Sequence, residues 1–303
     1  MDSEKAKSLC MVVETGSVSE AAARLYCSQP AVSKQIAALE AELGGPLFIR
    51  RNKRLVLNES GKKAYAFAKR YLSDLDQLQR ELRTLRLRES GCVRFGATNF
   101  VGAYLVPPAL ARYTGDFPGS RVALTVDFAS SLLEQLIAGE ISFALMPESP
   151  ALLAADFLAL TPVGLDEMAL VCPPDHPLAK GRGSVQPKEV VRYPLLIPME
   201  RSATRQFVLE RLEQAGAAPR QVIDLGTIQG VKRGVMDGMG VGILPARAVE
   251  TEAAAGLMCV QGLGQGAFQR TLYLARLKTA ELSKEDKTFI RVLENVIKEK
   301  EKA

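Results

Sequence analysis

The sequence predicts an α+β multidomain chain: a small helical front end with a two-stranded appendage, one long connecting helix, and a two-lobed α/β remainder. Three observations predict it. Apolar residues recur at helical spacing in short segments up to about residue 43. An apolar heptad pattern then persists from residue 64 to residue 85. From Cys92 onward, short strand-like apolar runs alternate with helical ones.

The bulk properties narrow the classes. A length of 303 residues suffices for two or three compact units. With 47% hydrophobic and 24% charged residues, the composition is that of an ordinary water-soluble protein. No apolar run is long enough to span a bilayer, so no membrane partner is expected. The opening MDSEKAKSL is polar and lacks the apolar core of a signal peptide, so a cytoplasmic location is expected. Cys10, Cys27, Cys92, Cys172 and Cys259 are odd in number and never closely spaced. That is neither a disulfide framework nor a zinc motif, and buried reduced thiols are expected. A lone histidine, His176 in the turn-rich CPPDHPLAKG, leaves no material for a metal site or a Ser-His-Asp triad. No catalytic residue, metal or cofactor is expected, and the chain reads as a non-enzyme.

Charge is unevenly placed. Residues 1–90 carry 16 Lys/Arg against 11 Asp/Glu, and residues 91–303 carry 23 of each, so the whole excess of +5 lies in the front end. Arg50, Arg51, Lys53 and Arg54 concentrate it. A local basic patch points to a polyanion.

The front end explains which one. SEKAKSLCMVVE reads as a first helix, ended by Thr15-Gly16. Ser17-Val18-Ser19-Glu20 fits a capping box that opens a second, alanine-rich helix able to pack closely. Tyr26-Cys27 makes the turn, and Ser28 caps a third helix with Pro30 in its first turn. Val32, Ile36, Leu39 and Leu43 face inward. The opposite face holds Gln29, Pro30, Ser33, Lys34 and Ala37, which are small or hydrogen-bonding with a single charge. Two short helices and a tight turn form a helix-turn-helix, whose second helix enters the major groove by its N-terminal residues. Gln29 and Ser33 can bond base edges, Lys34 can reach guanine or phosphate, and Pro30 can touch a thymine methyl. Gly44-Gly45-Pro46 breaks the helix, and FIRRNKRLVL reads as a two-stranded wing turning at Asn52-Lys53. Its Arg50, Arg51 and Arg54 would supply phosphate contacts. The expected partner is double-stranded DNA.

Asn58 caps a long helix to about Arg88. Ala64, Ala68, Tyr71, Leu75, Leu78, Leu82 and Leu85 are spaced alternately by 4 and 3, an apolar seam between charged flanks. Lying between two units, this seam is expected to meet a second copy and form a homodimer.

Glu89-Ser90-Gly91 marks the boundary. VRFGA, VALTVDF and ISFALM read as strands with helices between them, an order that implies a parallel sheet. The chain crosses to a second lobe near LTPVGLDEMALVCPPD. There PLLIPM, QVIDLG and VGILP alternate with helices, and it returns through FQRTLYLAR to a last helix. Ligands of such sheets bind beyond the carboxyl ends of strands. Thr98, Asn99 and Phe100 follow the first strand; Ser130 and Ser131 open a helix after VALTVDF; Ser202, Thr204 and Arg205 open another after PLLIPM. Helix N-termini, hydroxyls and an arginine favour an anion, so a small anionic metabolite is expected between the lobes. Gly238, Gly240 and Gly242 lack the strand-loop-helix context of a dinucleotide site and read as a close turn into a strand.

The segments ETGSVSEAAARL, SQPAVSKQIAALEAELG, PLFIRR and LNESG, gapless over residues 9–61, resemble the N-terminal domain of LysR-type transcriptional regulators. PPDHPLA, the SATR segment and GMGVGILP extend the resemblance through the chain. It implies a winged helix-turn-helix (1–58), a dimerising linker helix (59–90) and a periplasmic-binding-protein-like effector domain (91–303). Lobe 1 would be about 91–162 with 266–303, and lobe 2 about 163–265. It also implies an effector in the interlobe cleft and, as in many members, a homotetramer on promoter or operator DNA. Departures from the family are Lys34, where arginine is frequent, and Ser142, where aspartate is common. GAYLVPPALARY and RSATRQFVLERL look most like the branch that regulates sulfur or carbon assimilation.

Overall fold

The structure is a computed structural model. It describes the chain except residues 52, 53, 90, 181–183, 265–267 and 303, and except the side chains of residues 50, 51, 54, 80, 84, 86–89 and 300–302. Two compact units are present, Met1–Leu82 and Arg83–Ala303.

In the first unit, α1 (Ser3–Thr15) starts at Asp2, whose carboxylate accepts from the Lys5 N–H, and stops at left-handed Gly16. α2 (Val18–Arg24) starts at Ser17 and α3 (Gln29–Glu42) at Ser28, each hydroxyl accepting a backbone N–H of the first turn. Leu9, Val12, Val32 and Leu39 are fully buried around Ala21 and Ala22, whose small side chains let the helices approach. Each large apolar side chain removed from water here contributes about 2 kcal/mol. The wing is a hairpin of β1 (Phe48–Arg51) and β2 (Arg54–Leu57), with Arg51 opposite Arg54. α4 (Glu59–Glu89) follows. Its start is tied to the base of the wing: Asn58 donates to the Pro46 carbonyl at 2.6 Å and accepts from the Gly61 N–H at 2.8 Å. Gly61 is required there, since a Cβ would lie 2.1 Å from the Leu47 oxygen. Along the apolar seam of α4, Ala64 and Ala68 are buried within the first unit's own core, and Leu78, Leu82 and Leu85 are about half exposed.

The second unit has two lobes. Lobe 1 starts with β3 (Cys92–Ala97), a π-helical turn (Val101–Leu105) and α5 (Val106–Asp116). The single helix expected here thus begins with a wider turn, in which the Val106 N–H donates to the Val101 carbonyl. Pro107 and Pro108 have no N–H to continue the ordinary ladder. Next come β4 (Arg121–Val126), α6 (Ala129–Ile137), β5 (Phe143–Pro147) and α7 (Pro150–Leu153). β6 (Leu158–Cys172) then crosses into lobe 2. Lobe 2 holds α8 (Pro187–Val190), β7 (Leu195–Ile197), α9 (Ala203–Gln214), β8 (Val222–Asp224), α10 (Ile228–Met236), β9 (Val241–Pro245), α11 (Glu250–Ala254) and β10 (Cys259–Gln261). β11 (Gln269–Leu277) returns to lobe 1, and α12 (Lys284–Lys302) ends the chain.

Among the described residues the strands order as β4-β3-β5-β11-β6-β9-β7-β8, with β10 also on β6. β3 pairs in parallel with β4 and β5, and β7 with β8 and β9. The parallel sheet expected from strand-helix alternation is therefore the core of each lobe only. β6 and β11 are antiparallel to each other and to their other neighbours, because both are crossovers rather than strand-helix-strand steps. Phe95, Phe143 and Phe289 form the lobe 1 core, with ring centroids 5.2 Å and 4.8 Å from Phe95. Ser142 is away from the cleft, near Asp286 of α12, whose carboxyl burial holds above the ordinary range. Gly238 is left-handed just after α10, and a Cβ on Gly240 would lie 2.3 Å from the Pro194 oxygen, so these glycines serve a close turn. Cys10 and Cys172 are the buried thiols expected, and burial pushes Cys172 up to about 12. Cys27 is exposed, because it lies in the turn before α3.

Candidate functional site: a helix face and an interlobe cleft

The α3 face is set by its buried stripe. Val32, Ile36 and Leu39 turn inward, which leaves Gln29, Pro30, Ser33 and Lys34 exposed together at the N-terminal end. Gln35, next in sequence, is committed to the fold: it accepts from the Ser8 hydroxyl and donates to Glu4 of α1. Lys34 has no carboxylate partner among the described residues. The face thus offers two hydrogen-bonding side chains, one cation and one apolar ring, all still hydrated. The backbone of Arg50, Arg51 and Arg54 is in the wing hairpin, but their side chains, and all of Asn52 and Lys53, lie outside the described residues.

The cleft is a cavity of about 290 Å³ in the second unit. Thr98, Asn99 and Phe100, at the end of β3, line one side, and Ser202 and Thr204, at the start of α9, line the other. The hydroxyl of Thr98 is buried and has no partner among the described residues. Ser202 takes the N-cap position of α9 without a side-chain cap bond, and its hydroxyl has no hydrogen-bond partner among the described residues. Three expected residues are placed differently. Ser130 and Ser131 do not line the cavity; Phe128 and Ala129 do. Ser130 stays in reach as the acceptor of Arg201 Nη2 at 3.4 Å. Arg205 is bound to Asp224 at 2.8 Å and to the Pro198 carbonyl at 3.1 Å. The reason is register: β7 and β8 set Ile197 opposite Asp224, which puts that carboxylate beside the first turn of α9.

Other lining residues were not anticipated. Arg201, one residue before the α9 cap, stacks on Phe128 at 4.4 Å and has no carboxylate partner among the described residues. The SATR reading came within one turn of it. Arg270 is fully buried, bonded to Asp166 at 2.8 and 2.9 Å and to the Ala203 carbonyl at 3.1 Å. Burial pushes the Asp166 carboxyl up, and the Arg270 guanidinium opposes this. Nothing local announces this pair, since 104 residues separate its members and only the β6–β11 register brings them opposite. Asp127 also lines the cavity, with one oxygen accepting from the Phe128 N–H. Across the cleft, the Tyr104 hydroxyl of lobe 1 accepts from Gln229 at 3.1 Å and Lys232 at 3.4 Å, both on α10. Among the described residues no group of three or more His, Cys, Asp or Glu is placed to hold a metal, and no helix is long and apolar enough to cross a membrane.

Comparison with known proteins agrees with both regions. The family model for the bacterial regulatory helix-turn-helix protein, lysR family, matches residues 4–62. The model for the LysR substrate binding domain matches residues 87–298. The chain is 31% identical over 273 residues to the HTH-type transcriptional regulator SsuR of Burkholderia cenocepacia, covering 86% of this chain and 87% of that one. It is 28% identical over 288 residues to a probable RuBisCO transcriptional regulator of Cyanidioschyzon merolae, covering 94% and 95%. Among solved structures, HinK, a LysR family transcriptional regulator from Pseudomonas aeruginosa, shares the fold with a TM-score of 0.61 at 22% identity, over 98% of each chain. These relatives are regulators of transcription rather than enzymes. With a DNA-binding front end and an effector-binding remainder each matched along nearly its whole length, this chain belongs to the LysR-type transcriptional regulators.

Proposed function

We propose that this regulator is gated by a small anion held between the lobes of its C-terminal domain. The observation that carries the reading is the meeting of three features in one cavity. These are Arg201, without a carboxylate partner among the described residues, the buried hydroxyl of Thr98, without a partner among them, and the start of α9 at Ser202, which has no side-chain cap bond. An anion there would accept from all three, and Thr98 would regain the hydrogen bond it lacks. By binding one lobe arrangement more tightly than another it would shift the population of DNA-binding states. Asp127 favours a second reading, a zwitterion whose ammonium faces that carboxylate.

In this proposal the domains are 1–58, 59–90 and 91–303. Gln29, Pro30, Ser33 and Lys34 read base edges, and Arg50, Arg51 and Arg54 meet phosphates. Leu78, Leu82 and Leu85, half exposed on α4, pair with a second copy, and two dimers assemble into a tetramer. The protein works in the cytoplasm, on promoter DNA. For the likeness to the branch that regulates sulfur or carbon assimilation, the relative described as a probable RuBisCO transcriptional regulator supports the carbon alternative.

The test is footprinting of the DNA upstream of its own gene at two salt concentrations, with a panel of sulfate, phosphate, short carboxylates and amino acids. A two-fold-symmetric footprint that changes with a simple anion is expected. A response to amino acids alone selects the zwitterion. A footprint indifferent to the whole panel overturns the effector reading and leaves the DNA reading standing.

A further inference from the structure

The turn between α2 and α3 holds a side chain that its own chain does not use. Tyr26 is 98% exposed, more than any other large apolar residue described. Its backbone is left-handed, with φ 52°, while every other described position at positive φ is a glycine. A bulky residue is an outlier in that conformation, which glycine or asparagine adopts with less strain. The only bond found for Tyr26 among the described residues is from its backbone N–H to the Ala23 carbonyl at 3.3 Å. Neither packing nor backbone geometry therefore accounts for a tyrosine here. An observed outlier of this kind is a reason to look for function.

Its place supplies one. Tyr26 is followed by exposed Cys27, the Ser28 cap, and then Gln29 and Pro30, so the exposed positions run unbroken from Tyr26 into the start of α3. Gln29 lies three positions further on, a reach of at most about 10 Å along the chain. When the start of α3 lies in a major groove, the sugar-phosphate wall of that groove is within range of a tyrosine at 26. We propose that Tyr26 is a further DNA contact, its hydroxyl donating to a phosphate oxygen at the groove edge and its ring resting on the deoxyribose. The inference rests on the DNA reading of α3 given above. A tyrosine is neutral, so the contact positions the helix without reading sequence and without releasing a counterion.

The experiment uses the full-length protein, with its footprinted upstream DNA and a scrambled duplex as probes, and the variants Y26N and Y26F. Y26N should bind both duplexes about tenfold more weakly, with an unchanged salt slope, as expected for losing a neutral donor to a charged oxygen. Hydrogen-exchange protection of residues 3–42 should rise in the same variant, because asparagine is less strained at this φ. Y26F, which keeps the ring but not the hydroxyl, should lose affinity too, though less than Y26N. Wild-type affinity in Y26N overturns the contact, and wild-type affinity in Y26F overturns the hydroxyl-phosphate bond. A wild-type protein that protects no DNA would instead fail at α3 and take this inference with it.

Discussion

The α3 face and the interlobe cleft are both polar, but they hold their polar groups in opposite states. On α3, Gln29, Ser33 and Lys34 stand in water, and their hydrogen bonds are already met by solvent. A partner there exchanges one set of bonds for another, so the gain comes from charge and complementarity. In the cleft, the Thr98 hydroxyl is buried without a partner among the described residues, and the lining Arg270 side chain is held at zero exposure by its bond to Asp166. The folded state carries that cost until something fills the cavity. Alteration of α3 should therefore be read in DNA binding alone, whereas alteration of the cleft should be read in stability as well.

Three substitutions can break or sharpen this contrast. The largest effect belongs to Arg270→Ala, which strands the Asp166 carboxylate in the interior. It should destabilise the second unit by about 3–5 kcal/mol in urea unfolding, and a change under 1 kcal/mol would show the pair to be hydrated. Next is the double substitution S33A/K34A. Operator affinity should fall by about 1–3 kcal/mol of discrimination, while stability stays within about 0.5 kcal/mol. A matching loss of stability would mean that the face is packed against something. The smallest is Thr98→Val, which swaps an orphan hydroxyl for a methyl of the same shape. Stability should rise by about 1 kcal/mol while the response to the anion weakens. Lower stability would mean that the hydroxyl has a partner in solution.

How far each region could be read in advance follows from how it is assembled. The α3 face is one stretch of chain: Ser28 caps it, Val32 and Ile36 orient it, and the exposed residues follow from helical spacing. The cleft is built from segments near residues 98–104, 127–129, 147, 198–204, 226–229 and 270. Strand ends pointed to Thr98 and Ser202, and both line the cavity, since a residue after a strand has few other places to go. They could not predict that Asp224 would take Arg205 or that Arg270 would line the floor, because both depend on strand register across long separations. The same limit applied to the sheet: alternation of strand and helix revealed the parallel cores, and only long-range pairing revealed the two antiparallel crossovers. The seam of α4 was legible as a spacing, but its division into a part buried in its own unit and a part left half exposed was not.

The paired crossovers also constrain how this chain can change over evolution. β6 and β11 run side by side from Leu158 opposite Leu277 to Glu167 opposite Gln269, with one irregularity at Leu272/Tyr273. Inserting a residue into either strand alone would turn every side chain beyond it to the other face. Arg270 would then swing out of the cleft floor and leave Asp166 behind. Apart from Val163, the one extra residue of β6 that this irregularity already absorbs, further gains and losses must come in matched pairs or fall elsewhere. Relatives of this protein should show their insertions in the connections around the lobes and almost none within this ribbon.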